Sequence, residues 1–311
     1  MKTAMEGQFN VSYADSLKPG DAIGIISPSH GANKGDYAQI ARTIEGLGFR
    51  VKLGRNIFKR TYGYLASEQE RADDLNSMVT DGDVRMILFG GGWGASEILP
   101  LIDYENIACH PKRFSSYSDG TSILGAVYAK TGLVTYYGLG AGAFECLTDY
   151  DRAQFLTHFV EGKRTAALTG NGGWRILRPG VCEGTLTGGY TINFALLLAG
   201  AYSPAFTQHS GKHILFLEDH ERFNDVGGVS VYLSHIEQHP FIESVTGLVF
   251  GHYADNVPAE LLQRLERFGE KHRIPVVYCD DFGHYTRHSV LPIGVRAALD
   301  TATQTLAFKE G

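Results

Sequence analysis

Apolar residues in the first half of the chain fall into short buried runs separated by helically spaced stretches. Asp21-Ala-Ile-Gly-Ile-Ile-Ser27 is continuous enough in apolar character to predict a buried strand. Tyr37 to Leu47 follows with Ile40, Ile44 and Leu47 on one helical face, and Gly48 ends it. Phe49-Arg-Val-Lys-Leu53 predicts a second strand. Ser67 to Val79 predicts a helix, because Ser67 with Glu70 three residues later forms a capping box. Val84 to Phe89 is a third strand that runs into Gly90-Gly-Gly-Trp-Gly94, with a helix start expected at Ser96. Arg113 to Tyr117 predicts a fourth strand, Ile123 to Lys130 a helix, and Leu133 to Tyr137 a fifth strand. This alternation predicts an α/β fold with a parallel sheet covered on both faces.

The pattern changes after about Glu161. Thr169-Gly-Asn-Gly-Gly173 and Arg178-Pro-Gly180 read as linker. Beyond them come short strands at Val181 to Leu186, His213 to Leu217, Val245 to Phe250 and Val276 to Cys279. Helices are expected at Thr191 to Leu198, Val229 to Gln238 and Pro258 to His272. The expected organisation is a parallel-sheet N-terminal domain over 1–165, a linker over 166–180, and a smaller mixed α/β domain over 181–311.

Composition narrows the classes of function. The 311 residues are 43% hydrophobic and 20% charged, as in soluble globular proteins. The net charge is -6 and no Lys/Arg block appears, so nucleic acid is not an expected partner. No run is long enough to span a bilayer, and Met1 to Gly7 lacks a secretory apolar core. Four scattered cysteines without a C-x-x-C pair suit a reducing compartment, and a cytoplasmic location is expected.

Chemistry concentrates where predicted strands end. In a parallel sheet, ligands bind outside the carboxyl ends of the strands. Ser118 lies at such an end, in Ser116-x-Ser118-x-Gly120, one position short of a G-x-S-x-G nucleophile elbow. Ser-Asp-Gly is also ordinary turn chemistry. A serine nucleophile needs a base, a group that orients the base, and donors for the oxyanion. Twelve histidines make histidine count uninformative. Context favours His284, after the strand ending at Cys279, with Glu218, after the strand ending at Leu217, as a carboxylate that can set its tautomer. Glu218 can equally cap the next segment, and His284 can be a satisfied loop residue. The glycine run lacks both the full G-x-G-x-x-G and the Lys-Ser/Thr of a phosphate loop, so no dinucleotide is expected. Its bare N–H groups suit an oxyanion instead. His284 and His288 have i, i+4 spacing without the H-E-x-x-H glutamate, so no metal is expected.

Taken together, Gly24-Ile-Ile-Ser-Pro-Ser29, Gly63-Tyr-Leu-Ala66, Arg71-Ala-Asp-Asp-Leu-Asn76 and Gly91-Gly-Trp-Gly94 resemble one family. The match continues through Leu99-Pro-Leu-Ile-Asp-Tyr104, Tyr117-Ser-Asp-Gly-Thr121, Gly184-Thr-Leu-Thr-Gly-Gly189, Leu217-Glu-Asp219, Gly283-His284 and Leu291-Pro-Ile-Gly294. The family is the LD-carboxypeptidase family of serine peptidases, which includes muramoyltetrapeptide carboxypeptidases and microcin C immunity peptidases. The resemblance implies a Rossmann-like N-terminal domain, a smaller C-terminal domain and a homodimer. It implies Ser118 as nucleophile, Glu218 as acid and His284 as base. Oxyanion donors would be the N–H groups of Asp119 and of Gly91 or Gly92. Departures cluster near the expected pocket: Gly90 where the family often has Arg, Trp93 for Tyr, Ser116 for Gly, and Tyr137-Gly-Leu139 for His-Gly-Pro. Trp93 and Tyr137 are therefore expected to meet substrate.

The resulting expectation is a cofactor-free serine carboxypeptidase acting on a small peptide, with murein tetrapeptide releasing D-Ala in peptidoglycan recycling as the favoured case. A microcin-type peptidase acting on a peptidyl or aminoacyl nucleotide is the first alternative; the glycine-loop wording is nearer the carboxypeptidase branch. A non-catalytic ligand-binding protein on the same scaffold is another, and the hydrolase reading fails if Ser118, Glu218 and His284 do not converge across one cleft. An ordinary α/β-hydrolase esterase shares the Ser, acid, His order but places all three in one domain.

Overall fold

A computed structural model of the chain describes residues 11–29, 34–169, 173–203, 211–284 and 287–310. Positions 30–33 of the expected first loop and 170–172 of the expected linker lie outside the described residues.

The first sheet is built from β1 (Ala22–Ile25), β2 (Arg50–Leu53), β3 (Val84–Leu88), β4 (Arg113–Ser116) and β5 (Thr135–Tyr137). Their order is β5-β4-β3-β1-β2, all parallel. Helices α1 (Lys34–Gly46), α2 (Glu68–Thr80), α3 (Tyr104–Cys109) and α4 (Thr121–Thr131) cross between the strands, with α5 (Asp149–Phe155) after β5. The capping box at Ser67 is present, with Glu70 N–H bonded to Ser67 Oγ and Ser67 N–H to the Glu70 carboxylate. The helix expected at Ser96 is instead a 3-10 turn over Ala95–Leu101 that contains Pro100. Proline lacks the N–H an α-helix needs at that point. Connections run in opposite directions from β1 and β3, so the crevice at the carboxyl ends of these strands is a switch point where ligands bind.

The second sheet has eight strands. Its parallel centre is β8 (Val181–Tyr190), β9 (His213–Glu218), β10 (Val245–His252) and β11 (Val276–Gly283). Antiparallel strands flank this centre: β13 (Arg296–Asp300) and β14 (Thr305–Lys309) on one side, β7 (Arg175–Arg178) on the other. Helices α6 (Thr191–Ala199), α7 (Val226–Gln238) and α8 (Ala259–His272) cover it. The stretch read as linker contributes β7 and also β6 (Ala167–Thr169), which pairs with β14. These are three- and four-residue edge strands, too short for a period-2 signal.

One strand crosses between the layers. β12 (Leu291–Ile293) follows β11 in the chain yet pairs antiparallel with β5 of the first sheet. Leu291 sits opposite Tyr137 and Ile293 opposite Thr135. The C-terminal part is therefore stitched into the N-terminal sheet. Helix α4 also packs on α6, and the Tyr190 N–H donates to Thr121 Oγ1 at 2.9 Å. As a result, the carboxyl ends of both parallel sets open on one cleft. The four cysteines are free thiols.

Candidate active site

Ser118 follows β4 in a left-handed conformation, with φ 56°. Non-glycine residues avoid this region, and each such residue costs on the order of 1–3 kcal/mol unless its surroundings hold it. Here Ser118 and the next two residues tighten into a 3-10 turn that leads directly into α4. Ser116, where an elbow motif carries glycine, is buried and donates through Oγ to the Phe89 carbonyl at 2.9 Å. Its hydroxyl fills the space that a Cβ at Gly120 would need, only 2.1 Å away. The serine is thus accommodated by the glycine two residues beyond Ser118.

The three side chains singled out from sequence come together. His284 Nε2 lies 3.0 Å from Ser118 Oγ, and His284 Nδ1 lies 2.9 Å from Glu218 Oε2. Ser118 follows β4 of the first sheet, Glu218 ends β9, and His284 follows β11 of the second. The cleft between the sheets is therefore where they meet. The Glu218 side chain is fully buried and that of His284 is 14% exposed. Burial disfavours a charged imidazole, but the charge and hydrogen bond of Glu218 outweigh it, and the His284 pKa is raised above 6.5. Asp219, next along, has its carboxyl pushed up to about 6 by burial, with Asn224 and the His220 N–H pulling the other way.

The site opens into a cavity of about 500 Å³. Gly90, Gly91, Gly92 and Trp93 form one wall, and Trp93 is 60% exposed. Gly91 presses on the serine: a Cβ there would lie 2.6 Å from Ser118 Cβ and 3.0 Å from its Oγ. Asp119 sends its side chain away from the cavity, where Oδ2 accepts from the Ala95 N–H and Oδ1 from Asn193, both at 2.8 Å. Its peptide follows the serine directly.

Tyr137 does not meet the cavity as expected. Its side chain is fully buried, its hydroxyl accepts the Ser118 N–H at 3.0 Å, and it donates to Glu218 Oε1. An aromatic at the end of a β-prone run gives no hint of a partner that lies 81 residues away. Other lining residues also escaped the reading of the sequence. Tyr117 and Tyr190 each lie 5.3 Å from the His284 ring, centroid to centroid. Phe223, at the same distance, is half exposed. His288 lines the cavity with Nδ1 3.2 Å from the buried Asp151 carboxylate. The i, i+4 spacing of His284 and His288 thus serves two separate carboxylates. Among the described residues, no group of three or more His, Cys, Asp or Glu is placed to hold a metal ion, and no helix is long and apolar enough to cross a membrane.

A parallel-sheet domain joined to a mixed one, with a Ser–His–Glu chain between them, is the layout of a hydrolase built across two domains. The chain belongs to the LD-carboxypeptidase family: the model of the LD-carboxypeptidase N-terminal domain matches residues 23–138, and that of the C-terminal domain matches 183–299. It is 30% identical over an alignment of 324 positions to the "Probable murein peptide carboxypeptidase" of Bacillus subtilis (strain 168), covering 99% of this chain and 98% of that protein. It is 26% identical over 336 to the Microcin C7 self-immunity protein MccF of Escherichia coli, covering 96% and 95%. In fold it is similar to an MccF-like protein from Bacillus anthracis str. Ames, with a TM-score of 0.87 and 24% identity over 97% of this chain and 100% of that one. It is also similar to the muramoyltetrapeptide carboxypeptidase of Oxalobacter formigenes, with a TM-score of 0.79 and 22% identity over 93% and 99%.

Proposed function

We propose that this protein is a serine carboxypeptidase that hydrolyses an LD peptide bond and releases the terminal D-Ala of a murein tetrapeptide, as in peptidoglycan recycling. The observation that carries the reading is the continuous chain Ser118 Oγ, His284, Glu218, with spacings of 3.0 and 2.9 Å. The relative named as a murein peptide carboxypeptidase supports the substrate.

Ser118 Oγ attacks the scissile carbonyl carbon while His284 Nε2 takes its proton. Glu218 holds the Nδ1–H and stabilises the imidazolium. The oxyanion is held by the N–H of Asp119 and by the Gly91–Gly92 turn. The C–N bond then breaks, and His284 gives its proton to the leaving amine. A water, deprotonated by the same imidazole, hydrolyses the acyl-serine and regenerates both groups.

A second reading has one observation in its favour. Trp93 and Phe223 present rings that are 60% and 52% exposed at the cavity, surfaces on which a nucleobase can stack. MccF, a relative, is known in complex with aspartyl sulfamoyl adenosine. Incubation with murein tetrapeptide and, separately, with aspartyl sulfamoyl adenosine divides the two. Free D-Ala from the first is the expected product. Cleavage of the second alone would replace the murein reading with the nucleotide one.

A further inference from the structure

Tyr137 ends β5, the last parallel strand of the first sheet, and its ring packs 5.5 Å from that of Phe216 on β9. Its hydroxyl therefore sits where the two sheets meet. The Ser118 N–H occupies one lone pair of that oxygen, so the O–H is left to point at Glu218 Oε1. Glu218 Oε2 faces His284 Nδ1, and His284 Nε2 faces Ser118 Oγ. The bonds form a closed ring that leaves Ser118 through its amide and returns through its side chain.

We propose that Tyr137 is a positioning residue: its one hydroxyl ties the backbone of the nucleophile to the carboxylate of the acid, across the two sheets. The proposal rests on the reading of Ser118, His284 and Glu218 as a triad. Three consequences follow from the geometry. The left-handed turn at Ser118 has an internal anchor, because its amide is bonded into the protein rather than to solvent. That amide is consequently not an oxyanion donor, which leaves the task to Asp119 and the glycine turn. The Glu218 charge is also shared: Tyr137 stabilises one oxygen while His284 engages the other. Burial and the nearby Glu218 charge push the tyrosine pKa well above its ordinary value, so the hydroxyl stays a donor. The pairing of Leu291 with Tyr137 fixes β5 from its other edge, and the strand that does so follows the His284 loop.

The test follows the His284 titration by NMR of its ring protons in three proteins: wild type, Tyr137→Phe, and protein carrying 3-fluorotyrosine at position 137. Without the donor, Glu218 is less stabilised and its pair with His284 holds a proton more tightly. The His284 pKa should then rise by about one unit in Tyr137→Phe, and kcat/KM should fall about tenfold or more. Fluorotyrosine keeps the ring and donates more strongly, so the pKa should move the other way. The other titratable groups around His284 are Asp219, Tyr117, Tyr190 and His220, with His252 and His288 beyond. They are the same in all three proteins, so the difference reads Tyr137 alone. A lowered melting temperature with an unmoved His284 titration would overturn the proposal, since a filler of space would do only that. Opposite shifts in the two variants support it even if wild type hydrolyses no peptide, a result that would count against the proposed reaction and not against the tie.

Discussion

His284→Ala is expected to lower kcat by about 10⁴-fold or more, with KM changed little. In the proposed reaction the imidazole acts only as the chemistry proceeds, taking the proton from Ser118 Oγ, which lies 3.0 Å away, and returning it to the leaving amine. Its loss removes transition-state stabilisation and leaves ground-state binding in place. A second change, Ser118→Ala on the same chain, should cost almost nothing further, because members of one triad fail as a unit. In that reaction the same histidine is expected to set the acid limb of the pH profile. Its raised pKa means that the neutral, base-competent form is lost as pH falls through a midpoint above 6.5. Steady-state kinetics of the single and double variants, with kcat/KM followed from pH 5 to 9, check all three statements. An additive double variant would show that Ser118 and His284 do not act together.

Gly91→Ala should come close to abolishing activity, with a fall of about 10³-fold, while the protein stays folded. A methyl group there meets Ser118 Cβ at 2.6 Å, closer than real Cβ atoms approach, and Oγ at a tight 3.0 Å. Ser118 has little room to retreat, because its backbone is held by the Tyr137 hydroxyl and its turn leads straight into α4. The serine or the loop must shift, and an ångström of misplacement is worth about 10²-fold. Displacing the proposed oxyanion donors as well should add about another 10-fold or more. Gly91 sits at the rim of the cavity rather than in the core, so thermal denaturation should move little. Wild-type turnover by Gly91→Ala would mean that the glycine turn does not frame the reaction.

The parts of this molecule legible in its sequence are those governed by local rules. The buried run of β1, the face of α1 and the capping box at Ser67 each depend on residues within one turn or strand of one another. Strand ends at the site were harder. β9 runs on to Glu218 and β11 to Gly283, because pairing to neighbours holds a polar residue in a strand that hydropathy would end sooner. β12 is a three-residue strand containing Pro292, with no periodicity of its own, and exists because β5 offers it an edge. The site divides in the same way. Ser118, Glu218 and His284 could be nominated as strand-end residues, but choosing His284 among twelve histidines needed the family pattern. Tyr137 stands out in the sequence as a departure near the pocket, but neither its bond to Glu218 nor the Asp151–His288 pair is marked there, since the partners are 81 and 137 positions apart in the chain.

Everything proposed for this site depends on Ser118 being the nucleophile that cleaves the LD bond. Its most direct test is the rate of D-Ala release from murein tetrapeptide by wild-type and Ser118→Ala protein, measured side by side. Steady release by wild type is expected, with a rate lower by about 10⁴-fold or more for the variant. Release by Ser118→Ala at the wild-type rate would contradict it.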